Sequence, residues 1–180
     1  MRWLAVFALA GCAAVPVRVP QTPPTLDARS LEGSWAVVAS TFPMWLDGSR
    51  REPRFHYSAV RTEAGRVVLD DRVTYSAASG EPGQIDGVDV QHAQVPTHFT
   101  WSGRGFLAAF TSEWDVASLD PTGRYAIIVF SPTLATPAGL DVIAREPIDS
   151  QELERKRAEL EAEVRATPAF SGYATSLRWL

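Results

Sequence analysis

Trp114-Asp115-Val116-Ala117-Ser118-Leu119-Asp120-Pro121-Thr122-Gly123-Arg124-Tyr125-Ala126-Ile127-Ile128-Val129-Phe130 reads as two strands and the turn between them. Glu113 to Leu119 alternates, with Trp114, Val116 and Ser118 on one face. Asp120-Pro121-Thr122-Gly123 places proline second in the turn, where its fixed φ fits. Tyr125 to Phe130 is a continuous apolar strand. A hairpin of this kind predicts a β-rich fold, and the same signals recur on both sides of it.

Upstream, Trp35 to Ala39 is a first strand, and Arg54 to Arg61 alternates with Phe55, Tyr57 and Ala59 on one face. Glu63-Ala64-Gly65-Arg66 is a glycine-containing turn into Val67 to Ser76, which makes a second hairpin. Residues 79–83 read as loop, Val88 to Val95 as a strand, and His98 to Trp101 as a short one. Downstream, Leu140 to Arg145 is another strand. The period then changes. Asp149-Ser150-Gln151-Glu152 offers an N-cap with an acidic residue three positions on. Leu153, Leu160 and Val164, with the Arg157 stem between, form a narrow apolar stripe at helical spacing, which suits a helix lying outside a larger body. Glu152 with Lys156 and Glu161 with Arg165 are favourable pairs four apart. Pro168 ends the helix, and Tyr173 to Trp179 is a last short strand. About eight antiparallel strands joined by short turns point to an up-and-down barrel or a sandwich.

Composition bounds the function. The chain has 180 residues, enough for one domain, with 46% hydrophobic and 21% charged residues. Net charge is -4, so no basic surface is on offer to nucleic acid. One cysteine leaves no disulfide framework and no cysteine-based zinc site. No run reaches the roughly 18 apolar residues of a membrane-spanning helix. There is no G-x-S-x-G elbow, P-loop or G-x-G-x-x-G. Asp86, Asp89, His92 and His98 are close in sequence but lack recognised ligand spacing. They read as a solvated polar strand edge, and no metal site is assigned.

Aromatic residues carry more information. Trp45, Phe55, Tyr57, Phe99, Trp101, Trp114 and Phe130 are candidates for a cavity wall or for a packed core. Asp141 shares a strand face with Ile143 and Arg145. Turned inward, it is a buried carboxylate that needs a partner and could orient a polar headgroup. Turned outward, it sits at a rim or pairs with a nearby arginine such as Arg54. Gly103-Arg104-Gly105, flanked by Trp101 and Phe106, reads as a flexible lip or an ordinary turn, and residues 102–112 have no assigned element.

Four blocks in order carry a family resemblance: Gly33-Ser34-Trp35, the 114–129 strand pair, Leu140 to Arg145, and the acidic helix followed by Ser176-Leu177-Arg178-Trp179. Over roughly residues 31–180 the chain resembles the lipocalins, with outer-membrane bacterial lipoprotein lipocalins the nearest type. The strand-pair block departs from the usual T-D-x-x-Y, reading Asp120-Pro121-Thr122-Gly123-Arg124-Tyr125. The resemblance implies an all-β fold: an eight-stranded antiparallel up-and-down barrel with one C-terminal α-helix packed outside. It implies structural roles for Gly33, Trp35 and Arg145, with the arginine lying across the indole at one end of the barrel. It also implies binding of a small hydrophobic ligand, a fatty acid such as palmitate or a lysophospholipid, for storage or transport in the cell envelope, with no cofactor and no catalysis. An isomerase or de-epoxidase on the same barrel and a filled-barrel structural lipoprotein are the alternatives, and a homodimer stays open.

The N-terminus reads as an address. Met1-Arg2 is a positive start, Trp3 to Ala10 is apolar, and Leu9-Ala10-Gly11-Cys12 resembles a bacterial lipobox. That resemblance implies a signal peptide over 1–11, acylation of Cys12 and a membrane anchor. Pro16, Pro20, Pro23 and Pro24 make 12–29 a semi-extended tether, with the lipocalin domain over 30–180. By resemblance to enterobacterial lipoproteins, Ala13 in place of aspartate implies the outer membrane, on its periplasmic face.

Overall fold

The computed structural model describes residues 25–134 and 136–180. The expected signal peptide, Cys12 and most of the tether lie outside the described residues. Among the described residues nine strands follow in order: β1 (Gly33–Ser40), β2 (Arg50–Glu63), β3 (Arg66–Ala77), β4 (Pro82–Gln91), β5 (His98–Gly103), β6 (Thr111–Leu119), β7 (Tyr125–Phe130), β8 (Gly139–Arg145) and β9 (Arg178–Trp179). Each of the first eight pairs antiparallel with its neighbour in sequence, and β1 pairs with both β2 and β8, so the sheet closes on itself. The short β9 adds to β1 outside the ring. The helices are a single turn, α1 (Pro43–Leu46), and the long α2 (Ser150–Ala166). The fold is thus a closed eight-stranded up-and-down barrel with its main helix on the flank.

Local chemistry explains the turns. Ala64 and Gly65 take φ of 49° and 76°, the paired left-handed geometry of a two-residue hairpin loop. The Asp120 carboxylate accepts from the backbone N–H groups of Arg124 at 2.7 Å and Tyr125 at 2.9 Å, and from the Thr122 hydroxyl at 2.6 Å. One side chain therefore fixes the β6–β7 turn, and Gly123 supplies its positive φ of 67°.

Apolar side chains divide into two cores. Trp35, Val37, Phe55, Leu69, Phe99, Val116, Ile128 and Ile143 fill the barrel. Val38, Ile127, Leu140, Val142, Ala144, Leu160 and Val164 form a second core between the outside of the barrel and α2. This explains the unbroken apolar run of β7: one face meets the interior and the other meets the helix. Asp149 caps α2, its carboxylate accepting from the N–H groups of Gln151 and Glu152. Leu160 and Val164 are buried, and Leu153 packs at the margin. Glu152 reaches Arg124 at 3.6 Å rather than Lys156, which pairs with Glu159 instead. The Arg157 guanidinium lies 4.9 Å from the Trp179 ring, whose N–H donates to Glu161 at 2.7 Å.

Several expectations change. Strand β2 bulges between Ser58 and Arg61, and Ala59 takes φ 54° and is exposed, so it leaves the face of Phe55 and Tyr57. A second bulge between Val116 and Ser118 sets Ser118 opposite Ile127 of the outer core, so it does not share the inward face of Trp114 and Val116. Bulges of this kind bend strands as a barrel requires. Strand β4 begins at Pro82, not Val88. The last strand shrinks to Arg178–Trp179, because Ser171–Tyr173 forms a 3-10 turn. The segment read as tether contributes core from Leu26 onward: Leu26 and Ala28 are buried, and the Gln91 amide donates to the Leu26 carbonyl at 2.8 Å.

Candidate functional site

Up-and-down topology gives the barrel two ends. The 3-10 turn Ala28–Leu31 crosses the end at which β1 starts, and Trp35 plugs it with no exposure. The Trp35 indole N–H donates to the Leu31 carbonyl at 2.7 Å. The Arg145 guanidinium lies 4.1 Å from the Trp35 ring centre and donates to the carbonyls of Gly123, Glu32 and Ser30. Gly33 is required beside it: its φ is 121°, and a Cβ there would stand 2.9 Å from an Arg145 nitrogen. These residues close the barrel floor.

At the other end the barrel is open. A cavity of about 430 Å³ enters there, within the roughly 300–1,000 Å³ span of small-molecule pockets. Its rim is made by Phe42, Met44 and Trp45 on and beside α1, by Tyr75, and by Phe106 and Phe110 around the 3-10 turn Gly105–Leu107. The unassigned stretch 102–112 is therefore the end of β5, a rim turn and the start of β6. Phe106 is 90% exposed, and Phe110 and Leu134 are also exposed. The wall is aromatic. Phe55 and Tyr57 stack at 6.1 Å, and Tyr57 and Trp114 at 5.8 Å. Of the eight residues singled out for the lining, Trp45, Phe55, Tyr57, Trp101, Trp114, Phe130 and Asp141 border the cavity. Phe99 does not: it is fully buried, stacked 4.5 Å from Trp114, in the packing below. The barrel is thus not filled throughout.

Three carboxylates sit inside this wall. Asp141 faces inward from β8 and is 1% exposed. Arg54 does not reach it and pairs with Glu146 at 2.9 Å. Neither Asp141 oxygen makes a hydrogen bond, and neither does the Trp45 indole nitrogen. Burial pushes the Asp141 carboxyl up to about 7, while the nearby Ser40 hydroxyl and Trp45 N–H pull the other way. Asp89 is fully buried on β4, and the Trp114 indole donates to its Oδ1 at 2.7 Å. Burial raises it to about 7 against that bond. Asp71 lines the cavity from β3, with Oδ1 unpartnered. Burial raises it well above the carboxylate range, and the charges of Asp89 and Asp86 add to this, with the Trp101 indole opposing. Trp101 reaches that position because Gly87, opposite Asp71 in register, has no side chain: a Cβ there would lie 2.1 Å from the indole nitrogen. Burial also holds the Tyr57 phenol well above its usual range, with Asp71, Asp89 and Asp141 all adding to the effect.

Arg50 is the single basic side chain among the described residues lining the cavity. Its guanidinium lies 5.0 Å from the Tyr75 ring centre, at the rim. No histidine is among the described residues that line the cavity.

The cluster read as a polar strand edge divides between two sides of the sheet. Asp89 is inside, while Asp86 binds Arg72 at 2.6 Å outside. His92 and His98 join Glu113 on the outer surface, with their ligand atoms within 4.8 Å of one another. Those atoms already bond within the group: His92 to Thr100 at 2.8 Å, and His98 to Glu113 at 2.9 Å and Asp115 at 3.0 Å.

Sequence reasoning missed Asp71, Asp89 and Arg50. A signal for Asp71 was present, since Leu69, Asp71, Val73 and Tyr75 alternate on one face of β3.

No protein-family model matches the chain, and no curated protein matches it. Solved structures do. Lobster apocrustacyanin A1 superposes with a TM-score of 0.55 at 15% identity, over 89% of this chain and 88% of that one. The siderocalin Ex-FABP, described as acting through dual ligand specificities, gives 0.53 at 12% identity over 78% and 91%. The cockroach allergen Per a 4 gives 0.51 at 14% over 79% and 85%. These are lipocalin-fold proteins, and at such identities the likeness is one of fold.

Proposed function

We propose that this chain is a non-enzymatic binding protein that holds a small hydrophobic ligand in the barrel. The observation that carries this reading is the open cavity of about 430 Å³ with its stacked aromatic wall. Apolar burial in a preformed pocket supplies the affinity, and a few polar groups set orientation. The siderocalin's described ligand specificities support a binding role on this fold. A fatty acid or lysophospholipid fits the apolar wall, with its anionic group at Arg50 on the rim rather than among the carboxylates below. Titration with palmitate or lysophosphatidylcholine, read by quenching of the wall tryptophans, is expected to saturate at one equivalent. An unchanged spectrum with both would contradict lipid carriage.

The lipobox resemblance at Leu9 to Cys12 supports an acylated, outer-membrane-anchored carrier that stores or moves its ligand in the envelope. Two or more acyl chains hold a protein firmly, at roughly 0.8 kcal/mol per buried methylene. Cys12→Ala is expected to move the protein out of the membrane fraction. Retention there would contradict the anchor.

A further inference from the structure

We infer that the cavity selects a ligand with a cationic amine, held by Asp141 within the aromatic wall, with Asp71 adding negative charge elsewhere on the same wall. The inference rests on the reading of the barrel as a small-ligand pocket, not on the lipid ligand named there, and gives the ligand a different chemical class.

Both oxygens of Asp141 and one of Asp71 lack a hydrogen-bond partner, although both residues are more than nine-tenths buried and both line the cavity. A buried polar group without a partner is costly, and native proteins rarely leave one. Both side chains border the space a ligand would fill. An ammonium group has only donors and a positive charge, so it pairs with these buried carboxyls in their ionised, acceptor-only form and favours that form. The surrounding surface suits the same group. Tyr57, Trp45 and Trp101 border the cavity together with the two carboxylates, and aromatic faces attract cations. The charges on the cavity wall point the same way. Asp71 and Asp141 face it from β3 and β8, Asp89 lies behind the wall on β4, and Tyr57 stands among them on β2. Among the described lining residues Arg50, at the rim, is the one basic side chain against these. An anionic group placed deep in the cavity would oppose ionisation of these acids and find no basic partner among the described lining residues there. The protein's other carboxylates near this region are already paired on the outside, Asp70 with Arg61 and Arg104 and Asp86 with Arg72, which leaves the inward pair without counterions.

The test uses three probes of one shape and different charge: tryptamine, tryptophol and 3-indolepropionate. Each is titrated calorimetrically into the purified full chain at pH 7.5. Tryptamine is expected to bind at least tenfold more tightly than the other two. Asp141→Asn keeps size and shape, and is expected to remove most of that preference. Asp71→Asn provides the second variant, with a smaller loss in the same direction. Equal affinity for all three probes overturns the inference but leaves a hydrophobic binding pocket intact. Tightest binding of 3-indolepropionate overturns it in favour of Arg50. A tryptamine preference that survives both variants also overturns it. If no probe binds, the amine assignment fails, and palmitate titration decides separately whether the cavity binds lipid.

Discussion

Trp35→Ala is expected to lose about 3–5 kcal/mol of folding stability, the usual cost of removing a buried tryptophan. Domains have only about 5–15 kcal/mol in total, so much of the population unfolds under mild conditions. Three losses coincide at this position. The indole is fully buried and fills the closed end of the barrel. Its N–H satisfies the Leu31 carbonyl, which fixes the 3-10 turn across the floor. Its face carries the Arg145 guanidinium, which in turn ties the carbonyls of Ser30, Glu32 and Gly123 together. Trp35→Phe retains a face for Arg145 but not the N–H, so its loss should be smaller. Urea unfolding followed by circular dichroism checks both variants. An alanine variant with a wild-type midpoint would contradict this role for the tryptophan.

The second large effect concerns pH. Burial raises Asp89 and Asp141 from 3.8 to about 7, and Asp71 upward as well. A carboxyl whose pKa rises on folding contributes its stability fully below the unfolded value. That contribution falls as pH climbs between the two values and is gone above the folded one. The domain should therefore be more stable at pH 5 than at pH 8, by an amount on the order of a few kcal/mol. The carboxyls lowered by folding, Asp47, Asp120, Asp149 and Glu161, start from 3.8 or 4.5 and act below this window. Asp141→Asn should raise stability at pH 8, leave pH 5 nearly unchanged, and remove part of the slope. Urea midpoints at the two pH values test this. Equal midpoints for the wild type would show that the buried acids do not titrate as described.

The parts of the fold legible in the sequence are those fixed by local rules. Alternation in Phe55 and Tyr57, the Asp120 to Gly123 turn and the Asp149 cap each involve residues near one another in the chain, and each forms as expected. The bulges at Ser58–Arg61 and Val116–Ser118 were not legible, because they answer to barrel curvature set by the whole ring of strands. Phe99 could not be separated from the cavity wall, since a core aromatic and a lining aromatic look alike in a strand that faces inward. Asp89 was hidden for a different reason. Its neighbours Asp86, His92 and His98 are polar and face outward, so a period-two switch of side was masked by composition. A carboxylate is also not expected inside a barrel unless something stabilises it there, and its partner, Trp114, is 25 residues away.

Every binding role proposed for this protein depends on the barrel holding a small molecule. Native mass spectrometry of the purified full chain tests it most directly. A ligand-binding barrel gives a discrete added mass that is lost on denaturation. A bare protein mass from every preparation, with no adduct gained on incubation with palmitate, lysophosphatidylcholine or tryptamine, would contradict it.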